Sequence, residues 1–129
     1  MMQSALRSIL LADTATTAAT STRIDWGWRP QGKPVPAITL NTVSDPRPKH
    51  MAGNQATRAT VVQLDSWAAT YIEARTAANA AIAALVPQIK DGVRFLGFFV
   101  ENDTDLSEDT SDGLLARISV DLRVLHTIP

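Results

Sequence analysis

The clearest alternation of apolar and polar positions lies late in the chain. Ala116, Ile118, Val120, Leu122 and Val124 fall on one side of an extended segment, and Arg117, Ser119, Asp121 and Arg123 on the other. Successive strand side chains point to opposite faces, so residues 114–126 predict a strand with one face on a core and one on water or a partner. Residues 58–67 repeat the pattern, with Val62 and Leu64 on one side and Val61, Gln63, Asp65 and Trp67 on the other. Shorter strands are predicted over 23–28 and 36–43. The second is entered at Pro36 and places Ile38 and Leu40 on one face. Residues 93–101 predict a further strand carrying Phe95, Phe98 and Phe99, with Gly97 at a bulge position.

The period changes to helical in two places. Leu6, Ile9 and Leu10 form one apolar face over residues 3–11. Thr70 and Glu73 have capping-box spacing, which starts a helix over 71–86 that stops near Pro87. Its predicted buried stripe is Tyr71, Ala74, Ala78, Ile82 and Leu85. Residues 13–22, rich in Thr and Ala, predict a fraying end that passes into a loop. Two longer stretches without periodicity, 44–57 and 102–113, predict loops. The order is therefore α-β-β-β-α-β-β. It predicts an α+β fold, a mostly antiparallel sheet with two helices packed on one face. There is no internal repeat, and 129 residues fit a single domain over 1–129.

Composition narrows the function classes. Apolar residues make up 45%, enough for a core and against wholesale disorder. The net charge of −1 lacks the basic balance of a general nucleic-acid binder. With no cysteine there is no disulfide, thiolate metal site or thiol nucleophile. The most apolar stretch, 77–86, is too short to span a bilayer. Residues 1–12 resemble a signal peptide only superficially, since the sole early cation is Arg7 and the apolar run is residues 9–12. They read as a helix of the mature fold. Charge is unevenly placed. Residues 1–100 carry 10 Lys/Arg against 6 Asp/Glu, and residues 101–129 carry 2 against 7. A basic body and an acidic segment suit pairing with copies of the same chain.

Motifs of known chemistry are sparse. Asp103 and Asp105 are a fragment of a calcium loop, without its glycine or closing glutamate, so the segment reads as solvated or partner-facing. His50 and His126, the only histidines, have no neighbours at metal-ligand spacing, and no Gly-x-Ser-x-Gly accompanies them. No phosphate-binding glycine loop is present. Neither a metal nor a cofactor is expected. Trp26 and Trp28 share a strand face and fit either a core or an interface. Arg47, Lys49, His50 and Arg58 form a modest basic group, suited to solvation, to a nucleic-acid backbone or to an acidic protein surface.

Several phrases, in this order, resemble the phage tail completion or tail terminator family. Residues 5–13 (ALRSILLAD) are similar to its first helix, Arg23-Ile24 to its short next strand, and Pro34-x-Pro36-x-Ile38-Thr39-Leu40 to its proline-led second strand. Residues 62–74 (VQLDSWAATYIEA) resemble its strand-into-helix segment and residues 118–126 (ISVDLRVLH) its last strand. The likeness spans nearly the whole chain. It implies a non-enzymatic virion protein at the head–tail junction. Such a protein forms a homo-hexameric ring on the finished tail tube, touches the tube protein and the head-side connector, and lets DNA pass through its centre. Gene transfer agents and tail-like particles share the fold. The acidic segment 101–112 is more charged than the family pattern. On charge alone, ring contacts are expected between Arg47, Lys49, His50 and Arg58 on one side and Asp103, Asp105, Glu108 and Asp109 on the other. The loop 44–57 is expected to be mobile in a free subunit and to order on assembly. Rival readings are a head–tail adaptor or stopper, a tube subunit, and a small hydrolase using His50 or His126.

Overall fold

The computed structural model describes residues 2–27, 35–44, 49–50, 53–54, 57–106, 108–110 and 113–127; at 49–50, 53–54, 108–110 and 113–114 it describes the backbone alone. Within these, α1 spans Met2–Ala12 and α2 spans Thr14–Thr20. The strands β1 (Ile24–Trp26), β2 (Ala37–Ser44), β3 (Lys49–His50), β4 (Gly53–Asn54) and β5 (Thr57–Ala68) follow. Then come α3 (Tyr71–Ala84), β6 (Gln88–Lys90), β7 (Val93–Asp105), β8 (Glu108–Thr110) and β9 (Gly113–Thr127).

The main sheet has the order β1-β2-β5-β9-β7-β6, and β3 with β4 makes a separate small ladder. Only the β1–β2 pair is parallel; the other neighbours of the main sheet run antiparallel. β9 is the central strand. It pairs with β5 from Thr57↔Thr127 to Ala68↔Ala116 and with β7 from Arg94↔Thr127 to Asp105↔Ile118. β8 pairs with the first residues of β9, so β7, β8 and β9 form one long hairpin that extends past the end of β5.

The predicted alternation holds. Val62, Leu64, Ala116, Ile118, Val120, Leu122 and Val124 are buried in one core with Ile38, Leu40 and Phe95. The helices cover that face. Met2, Ala5, Leu6, Ile9 and Leu10 of α1 enter the core, as do Ala74, Ala78 and Ala81 of α3. Alanines let α3 approach closely, and Ser66 Oγ on β5 donates to the Ala74 carbonyl at 2.8 Å. Thr70 caps α3 by accepting from the Glu73 backbone N–H at 3.2 Å. Thr70→Ala should therefore cost about 1 kcal/mol, read as a lower urea midpoint with an unchanged m-value. Bulges shift the β7 register at Phe95/Gly97 and Val100/Asn102, the first at the predicted glycine. A side chain at Gly97 would start 2.9 Å from the Phe99 ring.

Four expectations need correction. Residues 14–20 do not fray: Asp13 accepts from Thr16 N–H at 2.9 Å and nucleates α2, a third helix. Tyr71 is 46% exposed rather than part of the buried stripe, because its ring lies on the solvent side of α3 under the Arg75 guanidinium, and Ala77 and Ala81 are buried instead. Residues 102–105 continue β7 and 108–110 form β8, since partner strand β9 is long enough to hold them despite their charge. The short strand β6 lay between two turn signals and carries no alternation to betray it. Within 44–57, backbone at 49–50 and 53–54 pairs as β3 and β4. Residues 45–48, 51–52 and 55–56, with the expectation of mobility placed on them, lie outside the described residues.

Candidate assembly surfaces

Of the basic and acidic groups expected to meet, Arg58 and the backbone of Glu108 and Asp109 lie toward opposite ends of the sheet. Arg58 is at the start of β5, and Lys49 and His50 form β3 in the connection just before it. Glu108 and Asp109 form β8, which pairs with residues 114–115 of β9, beyond the far end of β5. A strand rises about 3.3 Å per residue, so the twelve residues of β5 separate the two ends by about 40 Å. Arg47 lies outside the described residues, and the side chains of Lys49, His50, Glu108 and Asp109 are not described.

Asp103 and Asp105 are already engaged within the chain. Arg75 on α3 reaches across to both, with Nη1 2.7 Å from Asp103 Oδ2 and Nη2 3.1 Å from Asp105 Oδ1. The hydrogen bond to Asp103 comes first among the causes that hold the Arg75 guanidinium above its ordinary range; a hydrogen bond with Tyr71 adds to it. Arg75 also sits 5.8 Å over the Tyr71 ring. This contact pins the distal half of β7 to α3. Neither end of it was visible as a pair in the sequence, where the partners stand 28 and 30 positions apart.

The face of the sheet turned away from the helices carries a second organised surface. Asp65 is 3% exposed there, a carboxylate on the side without a helix. Arg117 Nη2 donates to its Oδ2 at 2.9 Å, and Gln63 Nε2 donates to both of its oxygens at 3.1 Å. Arg117 lies 4.8 Å over the Trp67 ring, and the Trp67 indole N–H donates to Thr39 Oγ1 at 3.1 Å. Further along, Arg123 Nε is 3.0 Å from Glu101 Oε1, and its guanidinium is 5.5 Å over Phe99. Side chains from β2, β5, β9 and β7 thus lock one another into a fixed charged and aromatic face. The alternation in β5 and β9 pointed to this face; the pairings across it needed the register.

Of the two histidines, only the side chain of His126 is described. His126 is 2% exposed, more deeply buried than its place near a strand end suggested, and its Nε2 is hydrogen-bonded to Thr60 Oγ1 at 2.9 Å. Trp26 packs half-buried against the core, and its indole N–H donates to the Gln3 carbonyl at 2.8 Å. Trp28 is outside the described residues. Among the described residues no three His, Asp or Glu side chains gather closely enough to hold a metal ion. Among the described residues no helix is long and apolar enough to cross a membrane.

A small domain with a fixed charged face, charged sheet ends and exposed apolar strand edges has the make-up of a structural assembly subunit. The chain matches the family of tail completion protein gp17 over residues 4–127, and it belongs to that family. It is a structural protein of the phage-type virion tail. The fold is also that of a chain in a solved structure described as "Virion of native gene transfer agent (GTA) particle". The two share 21% identity and superpose with a TM-score of 0.65, covering 98% of this chain and 94% of that one. No curated protein matches.

Proposed function

We propose that this chain forms a ring, hexameric in number, that terminates the tail tube and joins it to the head-side connector, with DNA passing through the centre. The observation that carries the reading, beyond family membership, is the division of charge between the two ends of one sheet. A subunit placed between two different partners needs two different end surfaces. Here Arg58 stands at the start of β5, and the backbone of Glu108 and Asp109 in β8 lies beyond its far end, about 40 Å away along the strands. In this reading the two surfaces meet the partners above and below a ring, rather than each other in neighbouring copies. The net charge of −1 suits a channel through which DNA moves without being held.

Arg47→Glu/Lys49→Glu should leave rings intact and lower the yield of complete particles about tenfold, equivalent to about 1.4 kcal/mol of lost attraction. Glu108→Lys/Asp109→Lys should do the same at the other junction while leaving the Arg75 contacts untouched. Electron microscopy of lysates separates the defects, as tubes without a ring or ringed tails without heads. Complete, infectious or transducing particles made without this protein would refute the reading. A purified ring of twelve would move the chain to the head-side adaptor class.

A further inference from the structure

We propose that the uncovered edge of β7 receives an edge of a second copy of this chain, so that the sheet runs on from one subunit into the next. The idea rests on the ring reading above and adds the surface that closes the ring.

β7 is a long strand with a short neighbour. β6 covers it only from Val93 to Phe95. Beyond that, no described strand lies on its outer side, and every second N–H and C=O of residues 96–105 points away from β9. An open edge of this kind is a template for pairing with another chain, and folded proteins usually guard it with Lys, Pro or a covering element. Residues 96–100 read Leu-Gly-Phe-Phe-Val, with neither. Bulges flank the segment, but between them Gly97, Phe98, Phe99 and Val100 pair regularly with residues 125–122 of β9.

The opposite edge is open in a complementary way. β1 covers β2 only at Ile38, Thr39 and Leu40, which leaves residues 41–44 uncovered among the described residues. Among the described residues, each edge of the sheet therefore has a step. One projects at β6 and is recessed along β7; the other projects at β1, at the opposite end, and is recessed along residues 41–44. A second copy set beside the first in the same orientation, and slid by four or so residues along the strands, seats each projection in a recess. β6 then lies beside residues 41–44 of β2, and β1 lies beside residues 97–100 of β7. The strand directions agree. Three antiparallel steps separate β2 from β7, and β1 is parallel to β2, so β1 meets β7 antiparallel. Two different edges meeting head-to-tail make a heterologous contact, the kind that closes rings.

Exposed apolar side chains mark the same two edges. Val43 is 57% exposed on one; Ile89, Leu96, Phe99 and Val100 are 66%, 43%, 46% and 48% exposed on the other. In the seated arrangement Val43 faces Ile89, and β1 covers Phe99 and Val100. A twofold pairing of β7 with β7 is the rival arrangement; it leaves β1 and residues 41–44 of β2 without a partner.

The absence of native cysteine makes the test direct. Val43→Cys/Ile89→Cys places two thiols four strand spacings, about 19 Å, apart within one chain, too far for a short bis-maleimide. Treated in assembled tails, the double variant should give a ladder of linked chains up to the full ring, and each single variant should stay unlinked. Leu96→Lys/Val100→Lys should keep the thermal melt of the parent and lower ring formation at least tenfold. Rings that form but give no ladder, and survive the lysines, would overturn edge pairing and leave the ring reading standing. A linked dimer from Val100→Cys alone would show β7 meeting β7 and would also overturn it. A protein that caps tails without any ring would sink both.

Discussion

Phe95→Ala is expected to lower the free energy of unfolding by about 3–5 kcal/mol, a large share of the stability of a domain this size. Phe95 is the largest fully buried side chain among the described residues and 1% exposed. It stacks on Phe98 with ring centroids 5.3 Å apart, and its backbone pairs with Gln88 of β6 on one side and His126 of β9 on the other. Removing the ring leaves a cavity bounded by ladders on both flanks, so little can move in to fill it. Urea unfolding should show the loss as a lower midpoint with an unchanged slope. A loss below about 1 kcal/mol would mean that the neighbours collapse onto the site and that the packing around β6 is loose.

The second large effect is expected at Asp65. Its carboxylate is nearly out of contact with water and accepts from Arg117 and Gln63. Asp65→Ala leaves the Arg117 guanidinium in place without its anion. Arg117 retains 23% exposure, so water offsets part of the loss, and about 3 kcal/mol is expected, at the lower end for a broken buried pair. Asp65→Ala/Arg117→Met removes both charges and keeps the volume over Trp67. It should recover more than half of that loss. Should the double variant be as unstable as the single one, the pair is not the source of the effect, and Trp67 packing would be the next suspect. The single variant should also raise the solvent exposure of Trp67, read as a red shift of its fluorescence.

Those two residues differ in how far the sequence announced them. Phe95 was legible because aromatic density and strand alternation both depend on local order. The same holds for the β5 and β9 faces, the Thr70 cap and the α+β class. What failed to show depends on partners far away in the chain. Asp65 stood on the polar side of a strand and looked solvated; its burial comes from Arg117, 52 positions later. Asp103 and Asp105 looked like loop residues because charge outweighs strand propensity locally, whereas pairing with β9 and the reach of Arg75 decide their conformation. α2 was missed because Thr and Ala carry no amphipathic stripe, and only the Asp13 cap marked its start. The open edge of β7 was unreadable for a different reason: it is defined by what fails to lie beside it.

The place of β9 at the centre of the sheet sets an order of events during synthesis. β5 and β7 touch each other only through β9, and β9 comes after both along the chain. A ribosome that has made residues up to 110 holds two halves with no shared strand between them. The sheet, and with it every surface that could recognise a tube or a neighbouring copy, can close only when the stretch 113–127 emerges. Long-range pairing of this kind is slow to form and sensitive to crowding while incomplete. A product cut short before residue 113 thus lacks the strand that joins the two halves of the sheet.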